Sequence, residues 1–97
     1  MPIKKVAFVR VIGSDVEFMS PDNLILKLIS DAIKVRESHS GVKIERPKED
    51  WLLIKVPNGH DSAIVIASWI VKYLYHNGWS EMTYMEYVDG HWYVKKE

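Results

Sequence analysis

Asn58-Gly59-His60-Asp61-Ser62 is the stretch whose residue types could carry chemistry. It precedes a long apolar run, and so stands at the predicted start of a helix. Free backbone amides and the helix dipole at such a place favour an anion such as phosphate. Gly59 would admit a close backbone approach, and the imidazole of His60 is the side-chain type suited to proton transfer near neutral pH. The candidate ligand-binding residues are therefore Asn58, Gly59, His60 and Ser62. The same five residues have a plainer use, which we favour. Asn-Gly makes a turn, Asp61 or Ser62 caps the helix, and His60 is a solvated loop residue. Asp61 also places a negative charge where an anion would sit.

Gly59-His60-Asp61-Ser62 followed by an apolar helix resembles a stretch in the small viral ring nucleases that degrade cyclic oligoadenylate. The resemblance covers four residues and implies a catalytic role for His60. The Gln-Arg segment that this family carries later in its chain has no counterpart here. The other histidines, His39, His76 and His91, stand at no metal-ligand spacing, and the chain has no cysteine, so no metal or cofactor is expected. No phosphate-binding glycine loop, nucleophile elbow or fixed carboxylate pair is legible, and no catalytic residue is assigned.

The elements that must position these residues follow one another with short turns. Val6 to Met19 predicts a β-hairpin about Gly13-Ser14, with a type II′ turn pairing Ile12 with Asp15, Val11 with Val16, Arg10 with Glu17, Val9 with Phe18 and Phe8 with Met19. Opposite charges then meet across the ladder, and Val9, Val11, Val16 and Phe18 share one face. Ser20-Pro21-Asp22 predicts a helix start with Ser20 as N-cap. Leu24, Ile25, Leu28, Ile29, Ala32 and Ile33 form the expected core stripe of a helix running to about Ser38, with Gly41 after it. A second hairpin is expected from Val42–Arg46 and Trp51–Val56, with Pro47 in its loop because proline cannot donate to a sheet ladder. The second helix is expected over about Ala63–His76, its wet strip reduced to Asp61, Ser68, Lys72 and His76 with Val65 and Trp69 between them.

A third hairpin is expected from Glu81–Val88 and His91–Lys95 about Asp89-Gly90, pairing Glu86 with Tyr93, Met85 with Val94 and Tyr84 with Lys95. The order ββα-ββα-ββ hints at an internal repeat with an offset of 37, which would place Ile29 on Ile66 and Gly41 on Gly78. The expected fold class is α+β: residues 1–97 form a single domain, an antiparallel sheet with two helices packed on one face. A ferredoxin-like βαββαβ core is the alternative.

Thirteen Lys+Arg balance thirteen Asp+Glu, so the strongly basic footprint of a nucleic-acid binder is missing. Aromatics beside basic residues, with Tyr84, Tyr93 and His91 near Lys95 and Phe8 near Arg10, leave an RNA- or single-strand-binding sheet as a second alternative. The longest apolar run, Ala63 to Val71, is nine residues, far short of the roughly 20 that cross a membrane. Lys4 and Lys5 lead into a short segment that Arg10 interrupts, unlike a signal peptide. A soluble, cytoplasmic protein is expected.

What remains is surplus apolar surface: Trp69 and Val65 beside Lys72 on the second helix, and Phe8, Met19, Tyr84 and Tyr93 on the outer sheet face. Contiguous apolar surface on so small a chain points to an interface. The function expected from the sequence is that of a small non-catalytic binding or regulatory module. It would act through protein–protein contact, as a homodimer and against a further protein partner. Such a chain would suit a regulator or inhibitor from a phage or mobile element. A nucleotide- or cyclic-oligonucleotide-binding protein or nuclease using Asn58–Ser62 is the alternative.

Overall fold

Alternating apolar residues around Gly13 build the centre of the molecule. In the computed structural model, which describes residues 6–38, 40–57, 59–81 and 91–95, β1 (Val6–Ile12) and β2 (Asp15–Met19) pair in the predicted register, from Phe8 opposite Met19 to Ile12 opposite Asp15. Gly13 has φ +58°, while Ser14 keeps a negative φ, as a II′ turn requires. The chain continues through α1 (Asn23–Arg36), β3 (Lys43–Lys48), β4 (Trp51–Lys55), α2 (His60–His76), β5 (Trp79–Glu81) and β6 (His91–Lys95).

The strands form one antiparallel sheet in the order β3-β4-β2-β1-β6-β5, and with its two helices the fold is α+β. Val9, Val16, Phe18, Leu52 and Ile54 from one sheet face join Ile25, Leu26, Ile29 and Ile33 of α1 and Ala63, Ile66, Ile70 and Leu74 of α2 in a single core, so both helices lie on the same face. α1 joins β2 to β3 with β4 between them, a split βαβ unit. The ferredoxin-like alternative fails after α2. There β5 lies at the far edge, with β1 and β6 separating it from β2. α1 and α2 begin 37 residues apart, at Asn23 and His60, each after its own hairpin.

Several local expectations are corrected. The cap of α1 is Asp22, whose carboxylate accepts from the Leu24 amide at 3.1 Å. Ser20 is buried instead, its hydroxyl donating to the Val6 carbonyl at 2.6 Å and accepting from the Asp22 amide at 3.1 Å. α1 ends at Arg36 rather than near Ser38, and it is rotated from the predicted stripe. Leu26 is in the core, while Leu24 and Leu28 are exposed. Pro47 lies inside β3, which is tolerated because β3 is an edge strand with a bulge between Glu45 and Lys48.

α2 begins at His60, with Gly59 at its N-cap and no side-chain cap bond, so neither Asp61 nor Ser62 is the cap. The last ladder also differs. Trp79 pairs with Lys95, Ser80 with Val94 and Glu81 with Tyr93, which displaces the predicted partners Tyr84, Met85 and Glu86. Tyr84 and the Asp89-Gly90 turn lie outside the described residues. No helix among the described residues is long and apolar enough to cross a membrane.

Candidate functional site

The entry to α2 is held by the hairpin below it. Gly59 takes φ +91° and ψ −172°, a backbone that L side chains rarely adopt, and thereby turns the chain from β4 into the helix. His60 then reaches across to β1–β2, its Nδ1 donating to the Gly13 carbonyl at 2.6 Å. A carbonyl can only accept, so the proton of this bond sits on Nδ1. The Val56 amide donates to the Ser14 carbonyl at 3.2 Å, and the two bonds clamp the same hairpin tip. His60 is therefore exposed as expected, but it stands in the first turn of α2 and not in a loop, and it ties that turn to the hairpin.

Asp61 occupies the first turn of α2, where its negative charge already meets the positive end of the helix dipole. Ser62 lies beside a shallow cavity of about 150 Å³ that it shares with Glu37, Ser40, Val42, Val56, Val65 and Ile66. A carboxylate and apolar side chains are poor company for an anion. Asn58 lies outside the described residues. Among the described residues, no three His, Asp or Glu side chains gather as a metal site would require.

The outer sheet face is less open than its sequence suggests. Phe8 is 2% exposed, with the Arg10 guanidinium 5.8 Å from its ring centroid. Arg10 pairs with the buried Glu17 at 2.8 Å. Met19, opposite Phe8, is half-buried and pairs on its other side with Trp51. Tyr93 stands opposite Ala7 and Glu81 in the ladder, a register position in the other file from Phe8. Of the expected outer patch the structure brings Phe8 and Met19 together, and Phe8 is too deeply buried to stack on a base.

Among the described residues, most exposed large apolar side chains lie on the helices, with Ile12 at the end of β1 the exception. Trp69 is half-buried against the core, with Tyr73 at 5.4 Å between ring centroids and the Arg36 guanidinium 5.5 Å from its ring. Val65 (55%) and Lys72 are exposed beside it. Three further residues, absent from the sequence-based set, lie out on α1: Leu24 (58% exposed), Leu28 and Val35 (79%). Ile64 and Tyr75 of α2 are exposed as well. The spacing i, i+4, i+11 of the α1 residues is a signal in the sequence, a second apolar stripe distinct from Ile25, Leu26, Ile29 and Ile33.

A groove of about 840 Å³ runs between α1 and the edge strand β3, lined by Lys27, Lys34, Arg46 and Lys48 together with Asp31, Glu45 and Glu49. Its charges nearly cancel, and Arg46 is already bound to the Asn23 side chain at 3.0 Å and to the Glu49 carbonyl. Compared with known proteins, the chain matches no family model, no curated sequence and no solved structure at a significant level.

Proposed function

We propose that this chain is a small non-catalytic binding module that acts through protein–protein contact, with the helical layer as its contact face and a homodimer as its own state. The observation that carries this reading is the apolar surface on both helices, foremost Val35, Leu24 and Val65. Large apolar side chains raised singly on a surface are ordinary; a run of them along one helix with more on its neighbour marks a contact surface. The layer is also of suitable size. α1 and α2, with 14 and 17 residues, are about 21 and 26 Å long and pack on the same sheet face. That is the scale on which interfaces of roughly 800 Å² per partner are built.

The outer sheet face supports this role less, because Phe8 is buried and Arg10 is paired with Glu17. A nucleotide-binding turn gains no comparable support, because the Nδ1 of His60 is bonded to Gly13 and Asp61 occupies the helix entry. A regulator or inhibitor works by contact alone and needs no catalytic group.

The test is a pair of exposed substitutions, Leu24→Glu with Val65→Glu, followed by size-exclusion chromatography at micromolar concentration. We expect the native chain to elute as a dimer and the double variant as a monomer with an unchanged circular dichroism spectrum. Elution of both at the same volume would exclude the helical layer as the contact face.

A further inference from the structure

We infer that the partner of α1 is the α1 of a second copy of this chain, packed antiparallel across a two-fold axis. This inference rests on the reading of the helical layer as the contact face and specifies which surfaces meet. At 3.6 residues per turn, Leu24, Leu28 and Val35 fall within an arc of about 40°, and Asp31 stands at its margin. The stripe is opposite the face that buries Ile25, Leu26, Ile29 and Ile33, so nothing in the core needs it. Lys27 and Asp31 are both exposed, and neither forms an ion pair among the described residues.

The pattern is self-complementary. An antiparallel pair centred between Ile29 and Ser30 sets Leu24 of one copy against Val35 of the other. Within one residue of that register, Lys27 of one copy meets Asp31 of the other. Two-fold symmetry repeats each contact, so the Leu24–Val35 register supplies two apolar pairs, sets Leu28 opposite Asp31, and brings Lys27 of each copy within one residue of Asp31 of the other. It also sets the N-terminal end of each helix dipole beside the C-terminal end of its mate. On α2, the antiparallel register that opposes Asp61 with Lys72 also opposes Val65 with Ser68, so an antiparallel α2 pairing adds no like-charge contact. A parallel arrangement of α1 would instead set Lys27 level with Lys27 and Asp31 level with Asp31, so it offers no opposite-charge pair between these two positions.

The test is a charge-reversal cycle on the full chain, read as a dimer dissociation constant by analytical ultracentrifugation. Lys27→Glu sets Glu against Asp31 at two places, and Asp31→Lys sets Lys against Lys27 at two places. Both positions are exposed, and far-UV circular dichroism checks that each variant stays folded. We expect the native chain to dimerise at micromolar concentration and each single variant to bind about tenfold more weakly or worse. The double variant K27E/D31K, which restores the opposite charges, should return to within about threefold of the native constant. A native dimer indifferent to either reversal, or a double variant no better than the singles, would overturn the antiparallel α1 pairing and leave the contact-face reading standing. A native chain that remains monomeric throughout the range would overturn both.

Discussion

His60 shows how a residue that looks catalytic is given a structural task. Its Nδ1 bond to the Gly13 carbonyl joins positions 47 residues apart, which no local pattern could reveal. We expect His60→Ala to lower stability by about 0.5–1 kcal/mol, the net worth of one largely exposed hydrogen bond, as measured by urea denaturation. An unchanged midpoint would mean that the bond contributes nothing. The same distinction between local and distant partners separates Ser20 from Asp22. Both precede α1, and the sequence rule for caps prefers serine as readily as aspartate. Ser20 is drawn inward because the Val6 carbonyl, 14 residues away, is there to accept its proton. Asp22→Ala should cost about 1 kcal/mol, the ordinary loss of a cap. Ser20→Ala should cost more, about 1–3 kcal/mol, because it strands a carbonyl and an amide beside a buried site. Equal losses in the two variants would argue against the separate roles.

At the scale of elements, legibility follows locality. The β1–β2 register is readable because a glycine turn and an alternating pattern act over only 14 residues, and no slip by one keeps Val9, Val11, Val16 and Phe18 on one face. The rotation of α1 is not readable, because the helix is apolar on two sides. Leu24 and Leu28 satisfy the 3.6-residue period as well as Leu26 does, and only packing into the core against β4 selects Leu26. Leu26→Ala should therefore cost about 2–5 kcal/mol as a core truncation, whereas Leu24→Ala should stay within about 0.5 kcal/mol at concentrations too low for association. The reverse order in thermal denaturation would favour the predicted stripe over the observed one. The β5–β6 register depends on Trp79, whose burial holds the strand start two residues before the predicted one. The Asp89-Gly90 turn signal has nothing to say about that anchor. Gly59, by contrast, can be suspected from sequence as a special position. It has φ +91°, and no heavy atom lies within 4 Å of the place a Cβ would take. Gly59→Ala should therefore cost about 1–3 kcal/mol through backbone strain alone, read from the shift in denaturation midpoint.

Across the whole molecule, the sheet divides two surfaces with different fates. One face joins both helices in the core. On the other, Phe8 and Glu17 are buried and Arg10 is neutralised by its partner. The apolar surface expected partly on the outer sheet therefore lies mainly on the far side of the helices, and Trp69 is half-covered by Arg36 and Tyr73. Strand order is the part of the fold least open to sequence reasoning. Nothing local tells β6 to add beside β1 and so carry β5 to the edge. If the exposed helical layer is covered by a second copy, as proposed, light scattering on the native chain must show it as concentration rises through the micromolar range. The expected mass climbs from that of one 11.3 kDa chain to twice that value. A mass that stays at a single chain throughout would contradict it.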